Sequence, residues 1–297
     1  MRFTFLGTGT SSGVPAIGCT CAVCTSADPR DNRLRTGAAV RYTGNDGKPR
    51  MVFIDATPDL RQQALRFGLD RCDAILFTHN HVDHTFGLDE VRRYNAMQQG
   101  PIDVYAEEHT LTFLKGVFRY IFDRDANVNN SFVAQLIPWT IKPGQVIDLW
   151  GLRVTPIRLL HGHLPIVGFR LDASGLPNGQ VGNLPHADAN AVTAGVVSPF
   201  PLAYCTDVSA VPPESWRALH GLATLVLDGL RHRAHPTHFT VAQALGVIER
   251  VRPRAAYLTH ISHDLGHAAT EAELPEGVHL AYDGLTLGDE HAAEQRG

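Results

Sequence analysis

Residues 74–84 read AILFTHNHVDH, an apolar run that ends in three histidines and an aspartate. The apolar run predicts a short buried strand. His79, His81, Asp83 and His84 follow it within six residues, where each buried imidazole needs a partner and a buried carboxylate needs a compensating charge. A divalent cation meets these needs together. In an extended turn, the first two histidines point to one side and the Asp-His pair to another, so the stretch predicts two adjacent ions.

Four ligands do not complete two open catalytic sites, so other parts of the chain must supply further donors. Three donors stand in the same position relative to a predicted strand: His161 after RVTPIRLL, Asp207 after LAYCT and His260 after AAYLT. One such residue alone usually caps a strand or forms a hydrogen bond, but the repetition favours metal ligation. His163 is an alternative to His161, because the sequence HGH offers two imidazoles.

The rest of the chain predicts a mixed α/β domain. Apolar or β-branched runs predict strands at 2–7, 38–43, 51–55, 74–78, 102–106, 152–160, 167–172, 202–207, 224–229 and 255–260. Helical spacing or closing glycines predict helices at 58–68, 88–100, 109–122 and 240–251. The helices follow groups of strands, which favours sheets inside and helices outside. We expect a single domain over 1–297, with an inserted surface loop at about 173–201, which is rich in Gly, Pro and Asn.

Composition and charge exclude several classes of protein. The 297 residues include 26 Lys and Arg against 30 Asp and Glu, a formal net charge of −4. The chain therefore lacks the basic field that recruits long nucleic acids. The sequence has no run of about 18 apolar residues, so no membrane span is predicted. The opening MRFTFLGTGT lacks the pattern of a secretory signal.

Cys19, Cys21 and Cys24 form a second constellation. Three thiolates at this spacing leave a tetrahedral ion one ligand short. Dense disulfide bonding is a poor fit to five cysteines of which three are clustered, so the pattern favours metal ligation in a reducing compartment, the cytoplasm. Three free thiols are the alternative.

The combination of THNHVDH, a separate His, a strand-terminal Asp and a late Thr-His resembles the metallo-β-lactamase superfamily. Within it, the segments LGTGTSSGVPAIGCTCAVC, FIDATPDL, YCTD and LTHISHDLGH resemble the PhnP-type phosphodiesterases, bacterial enzymes that open cyclic phosphodiesters such as phosphoribosyl cyclic phosphate. The resemblance covers most of the chain and implies an αββα sandwich with a dinuclear metal centre at one edge and a small zinc-bound N-terminal loop.

The resemblance also implies roles for individual residues. The implied ligands are His79, His81 and His161 for one ion, Asp83, His84 and His260 for the other, and Asp207 as a bridge between them. Asp55 would orient a ligand histidine or the bridging water. The ligand set contains only nitrogen and oxygen, which suits Mn, Zn or Fe and does not choose among them; Mn or Zn is the expected pair of active-site ions. His263, three residues after His260, would complete a closed Cys3His site for one structural Zn.

A third segment, DGLRHRAHPTHFTVAQAL at 228–245, follows a strand and leads into a helix. Histidines near a helix N-terminus can face an anionic substrate. By resemblance, His238 assists cleavage of a phosphate ester. His232 and His235 are candidate phosphate contacts, and surface histidines are the alternative reading.

These residues predict a hydrolase that uses two metal ions and a bridging hydroxide to cleave small cyclic, ribose or nucleotide phosphodiesters. Asp83 and Asp207 would serve catalysis by holding the ions, and His238 would stabilise or protonate the leaving oxygen. The alternatives are a nuclease that processes tRNA 3′ ends, a thioester hydrolase and a non-catalytic, metal-dependent nucleotide-binding protein. The resemblance further implies a homodimer. The lack of a long apolar run and the net charge predict no membrane partner and no large nucleic acid.

Overall fold

The computed structural model describes residues 1–173 and 198–288. Its strands are β1 Arg2–Gly7, β2 Gly37–Thr43, β3 Pro49–Ile54, β4 Ala74–Leu76, β5 Ile102–Ala106, β6 Leu136–Thr140, β7 Ile147–Leu149, β8 Leu152–His161, β9 Leu164–Ala173, β10 Leu202–Cys205, β11 Thr224–Asp228, β12 Ala255–Thr259, β13 Val278–Leu280 and β14 Thr286–Leu287. Its α-helices are α1 Leu60–Arg66, α2 Val82–Thr85, α3 Arg92–Gln98, α4 Glu108–Val117, α5 Arg119–Phe122, α6 Val241–Val251 and α7 His267–Glu273. Short 3-10 helices span Pro29–Asp31, Leu88–Val91, Arg124–Ala126 and Pro213–Leu219.

The strands form two seven-stranded sheets. The first has the spatial order β14-β1-β2-β3-β4-β5-β6, and the second β13-β12-β11-β10-β9-β8-β7. Strands β3 to β6 run parallel in the first sheet, and β10 to β13 run parallel in the second. Parallel strands end at the same edge of their sheet, so each sheet gathers several carboxyl ends along one rim.

Three apolar clusters separate four layers. One lies between the sheets and includes Phe3, Phe169 and Tyr204. Phe77 packs on the outer face of the first sheet with helical residues such as Leu60, and a third cluster joins the second sheet to α6. The predicted αββα sandwich is therefore confirmed.

Side-chain alternation along β2 shows how the sequence builds these layers. Ala38, Val40 and Tyr42 face the other sheet, whereas Ala39 faces the helices, as expected for a strand covered on both sides. Helix α6 begins at a capping box, in which Thr240 accepts from the backbone N–H of Gln243 and the Gln243 side chain accepts from Thr240 N.

A strand forms within each of the ten predicted runs, but several boundaries are wrong. The predicted helix 109–122 is two helices, because the chain breaks at Phe118 between α4 and α5. The predicted helix 88–100 begins as a 3-10 turn and ends at Gln98, since Gln99 rather than Gly100 takes the left-handed conformation (φ 52°).

Two further predictions concern the inserted loop and the absence of a membrane span. The inserted loop predicted at 173–201 falls largely on residues 174–197, which lie outside the described residues. Among the helices of the described ranges, none has the length and apolarity needed to cross a membrane.

Candidate metal centre

The candidate donors stand where strands end on the shared rim. Asp55 follows β3, Asp207 lies two residues after β10, and His260 follows β12. All three have left-handed backbone conformations, with φ of 64°, 59° and 57°. Non-glycine residues adopt this conformation rarely, and it recurs at functional sites, where surrounding contacts hold it. The abrupt turn after each strand brings these side chains to the rim.

The HNHVDH segment follows β4 at the same rim. It is not the extended turn that the sequence suggested: Val82–Thr85 form one turn of helix, α2. The N–H of His84 donates to the carbonyl of His81 (3.1 Å), and the carbonyl of His84 accepts from the N–H of Ala56 (2.8 Å). The helical turn still divides the four donors into two groups.

The first group consists of His79, His81 and His161, whose ligand atoms lie within 4.8 Å of one another. The Nδ1 atom of His79 lies 2.9 Å from the hydroxyl of Thr78. His161 Nδ1 lies 2.7 Å from the carbonyl oxygen of Thr237 and must donate to it, since a carbonyl only accepts. These contacts leave Nε2 of both residues for the centre. The alternative His163 has an exposed side chain.

The second group consists of Asp83, His84, Asp207 and His260, all of them buried. Asp207 lies between the two histidines, with Oδ2 3.3 Å from His84 Nε2 and Oδ1 3.2 Å from His260 Nε2. Asp83 Oδ2 is 3.3 Å from His84 Nε2 and 4.0 Å from His260 Nε2. Two carboxylates and two imidazoles thus converge on one point.

Asp55 lies behind the second group and is fully buried. It accepts from the backbone N–H of Thr78 (2.8 Å) and from the Thr78 hydroxyl (2.9 Å), and its Oδ2 lies 2.7 Å from His84 Nδ1. This arrangement fixes the ring of His84 so that Nε2 faces the group. Asp55 therefore stands where the sequence comparison put an orienting carboxylate.

Three buried ring nitrogens in these groups make no well-formed hydrogen bond within the described residues: Nε2 of His79, and Nε2 of His84 and of His260, which lie only in ion-pair contact with carboxylate oxygens. A buried polar atom left without a partner is costly, so these nitrogens fit metal ligation. Burial lowers the pKa of His79 and His161, which keeps each imidazole neutral and its lone pair available.

The electrostatics of the second group also fit a cation. Burial opposes protonation of His260, yet the carboxylates of Asp207 and Asp83 raise its pKa to about 9. The same balance raises the pKa of His84 well above its usual value. The buried carboxylates of Asp83 and Asp207 need nearby positive charge to offset their loss of hydration, and divalent ions would supply it.

His238 adds a histidine that neither group requires. Its ring centre lies 4.6 Å from those of both His161 and His260. Its Nδ1 lies 2.7 Å from Oδ2 of Asp228, which also accepts from Val208 N (2.8 Å). Nε2 is therefore the nitrogen that remains for the site.

Sequence reasoning missed Asp228, although it is the last residue of β11 and so stands near the same rim as the other donors. Burial raises its pKa well above the usual value and lowers that of His238 to about 4. Both shifts favour a pair with no net charge, in which one proton lies between the carboxyl group and Nδ1 and another is on Nε2.

The two other histidines of this loop differ in placement. The ring of His235 lies 5.0 Å from that of His238, and its Nδ1 is 3.2 Å from the Thr237 hydroxyl. The side chain of His232 is exposed, and it is not among the described residues whose ligand atoms converge. The structure places His235 beside His238, also outside those groups of converging ligand atoms, and leaves His232 at the surface.

Cys19, Cys21, Cys24 and His263 also converge. The three sulfurs lie 3.2, 3.5 and 3.5 Å from His263 Nδ1, near the ligand separation of about 3.6 Å expected for tetrahedral zinc with sulfur and nitrogen ligands. The N–H of Cys24 lowers the pKa of the Cys21 thiol to about 6, whereas burial raises that of Cys24 to about 11. The donor set and its spacing fit a closed Cys3His site.

Comparison with known proteins gives consistent results. Residues 50–261 match the family model of a beta-lactamase superfamily domain. The crystal structure of a new diphosphatase from the PhnP family superposes with a TM-score of 0.79 at 40% sequence identity, covering 97% of this chain and 98% of that chain.

Two other proteins define the range of the similarity. An octanoyltransferase of Porphyromonas gingivalis (strain ATCC BAA-308 / W83) is 33% identical over 290 residues, which is 96% of this chain but only 51% of that longer protein. The chain thus spans about half of that relative. Human tRNase Z, short form, has the same fold, with a TM-score of 0.63, 18% identity and coverage of 97% of this chain and 99% of that chain.

Proposed function

Because the chain belongs to the beta-lactamase superfamily, we propose that it is a metal-dependent hydrolase that cleaves small phosphodiesters, such as ribose cyclic phosphates or nucleotide esters. The similarity to a PhnP-family diphosphatase at 40% identity supports this substrate class and adds diphosphate-linked nucleotides to the candidates.

The observation that carries the proposal is the position of His238. Seven donors already account for two metal-binding groups, and His238 lies beside both, with its Nδ1 held by the buried Asp228. A proton donor next to two cation sites suits a reaction in which negative charge develops on phosphoryl and leaving oxygens.

Each group of residues has a distinct role in the proposed reaction. Divalent ions held by the two groups would lower the pKa of water and neutralise phosphoryl charge. Asp207 and Asp83 supply the anionic ligands, and Asp55 and the Thr237 carbonyl orient two of the imidazoles. His238 directs the Nε2 proton to the leaving oxygen, and Asp228 holds the complementary proton at Nδ1.

The test is turnover by purified protein supplied with Mn or Zn. The panel comprises bis(p-nitrophenyl) phosphate, ribose cyclic phosphates and diphosphate-linked nucleotides. We expect hydrolysis of at least one member and a large loss of kcat in His238→Gln, with the metal content unchanged. Absence of turnover across the panel, together with tight nucleotide binding, would instead identify a non-catalytic binding protein.

Two other reactions belong in the same assay. The net charge, 26 − 30 = −4, gives a long RNA backbone little to bind, so we expect no cleavage of precursor tRNA. Octanoyl transfer is the activity of a protein about twice as long, so hydrolysis of an octanoyl thioester is the matching control. Faster turnover of either substrate than of the phosphodiesters would overturn the proposal.

The donor sets also guide the choice of metal. We propose Mn or Zn for the two nitrogen and oxygen groups, and one structural Zn for the cysteine group. Thiol ligands must stay reduced, which favours the cytoplasm as the compartment. Elemental analysis should find three metal equivalents per chain when Zn is supplied.

We further propose a homodimer. Three apolar residues between the end of α4 and the start of β6 are exposed: Val117 by 43%, Val128 by 81% and Phe132 by 54%. Exposed apolar side chains in one stretch of sequence favour burial against another surface. Light scattering should give twice the mass of one chain, and Phe132→Lys should shift it to the monomer. A wild-type monomer at all concentrations would refute the dimer.

A further inference from the structure

The loop 231–240 carries His235 and His238, yet its own backbone does little to hold its shape. Its base is closed by the bonds from Leu230 N to Phe239 O (3.1 Å) and from Val241 N to Arg231 O (3.0 Å). Between these closures, no residue from 232 to 238 donates a hydrogen bond to a backbone carbonyl of the described chain. The shape of the loop therefore depends on side chains.

Arg231 provides that support from inside the loop. Its Nε donates to the carbonyl of Arg233 (3.2 Å), and its Nη2 donates to the carbonyl of Ala234 (3.4 Å). The side chain is only 19% exposed. A planar guanidinium can reach two successive carbonyls at once, whereas a lysine ammonium lacks this forked geometry. These contacts fix the two residues that immediately precede His235.

The other side of the same guanidinium faces the cysteine group. Arg231 Nη1 lies 3.6 Å from Oδ2 of Asp264, the residue after His263. The N–H of Asp264 in turn bonds to the hydroxyl of Ser262 (3.1 Å), and Ser262 N bonds to the carbonyl of Leu230 (3.0 Å). The cysteine group and the base of the loop are thus joined through one short segment, 262–264.

We propose that Arg231 is a positioning residue that couples occupancy of the Cys3His group to the orientation of His238. The inference rests on the proposed function, because it concerns how that reaction receives its proton. Asp264 is 44% exposed, so its ion pair is screened by solvent and is the weaker part of the link. The two carbonyl contacts therefore hold the shape of the loop, and the ion pair links Arg231 to the segment beside the cysteine group.

The first experiment compares Arg231→Lys with Arg233→Lys, the same substitution two residues away on an exposed side chain. Substrates with alkoxide leaving groups need a proton from His238, whereas p-nitrophenolate leaves without one. We expect Arg231→Lys to lower kcat for an alkyl ester about tenfold and to change kcat for the p-nitrophenyl ester less than about twofold. Arg233→Lys should change neither. Equal losses on both esters, or no loss, would overturn the positioning role.

A second measurement needs no turnover. In protein labelled with ¹⁵N-histidine, the ring proton that His238 shares with Asp228 gives a signal assigned by its absence in His238→Gln. We expect this signal to broaden in Arg231→Lys and to stay sharp in Arg233→Lys. An unchanged signal contradicts the inference even if the protein hydrolyses nothing in the panel, so this failure is distinct from failure of the proposed function.

The coupling to the cysteine group is tested with Asp264→Asn and Cys24→Ser. Cys24→Ser should lose the metal of that group and reproduce the change in leaving-group dependence and in the His238 signal. Asp264→Asn, which removes only the ion pair, should keep the metal and produce the same change in smaller degree. If Cys24→Ser does not fold, Asp264→Asn decides. Wild-type behaviour in Asp264→Asn would then overturn the coupling.

Discussion

Replacing Asp228 with asparagine tests the proton donor directly. One carboxylate oxygen, Oδ2, accepts from both Val208 N (2.8 Å) and His238 Nδ1 (2.7 Å). Val208 N only donates, so the carbonyl oxygen of an asparagine must occupy this position. It then accepts the Nδ1 proton of a neutral His238 and leaves Nε2 without one. The substitution preserves the shape of the site while removing its donor.

The size of the effect follows from what a general acid contributes. Proton transfer by a positioned side chain is worth about 10²–10⁴-fold in rate, or about 3–5 kcal/mol. We expect Asp228→Asn to lower kcat for an alkyl phosphodiester about 10²–10³-fold and for a p-nitrophenyl ester less than about threefold. Steady-state kinetics on the two esters, at matched metal content, measure this difference.

The control is Asp283→Asn, which changes another buried aspartate that belongs to none of the metal groups. It should leave both rates as they are in the wild type. The reasoning is refuted if Asp228→Asn slows both esters equally while binding its metals normally, because the pair would then serve substrate binding or folding rather than proton donation.

Three further predictions concern metal affinity, pH and the cysteine group. Asp55→Asn should weaken the ion bound by His84 about 10–100-fold, measured by competition with a chelator; equal weakening of both ions would contradict the assigned contact. Burial raises the pKa of Asp283 to about 6 from 3.8. Its contribution to stability is therefore complete below about pH 4 and is lost as the pH rises to about 6. Asp283→Asn should remove this loss, about 2–3 kcal/mol, from urea-unfolding curves recorded between about pH 4 and pH 8; identical pH profiles of the two proteins would exclude it. Cys24→Ser should lose one zinc equivalent and unfold at lower temperature while keeping two active-site metals, and an unchanged zinc content would show that the thiols do not bind it.

The strand-end donors could be found in the sequence because their signal is local. Each is a His or Asp directly after an apolar run, and the same pattern recurs at His79, Asp207 and His260. The runs themselves predicted a layered α/β domain, since most strands are buried on both faces, and the αββα sandwich came from the family resemblance. The sequence did not predict β6, β7, β13 and β14. In β6 the side chains are largely exposed and Pro138 interrupts the pattern.

Other parts of the site have no local signal. The helical turn α2 is four residues long, too short for helical periodicity to distinguish it from an extended turn. The carbonyl of Thr237 orients His161 across 76 residues, and a backbone carbonyl leaves no mark on residue type. Asp228 did have a recognisable position at the end of a strand. Its contact with His238, however, depends on how the 231–240 loop folds back over the strand ends, which the sequence does not show.

The ligand groups draw on both sheets, and this has a mechanical consequence. His79 and His81 come from the first sheet and His161 from the second, while Asp83 and His84 face Asp207 and His260 in the same way. The cysteine loop after β1 likewise meets His263 after β12. Ions bound in these groups would join the two sheets along one edge of the sandwich. Displacing one sheet relative to the other at that edge would require breaking metal–ligand bonds, whereas the opposite edge would be freer to move.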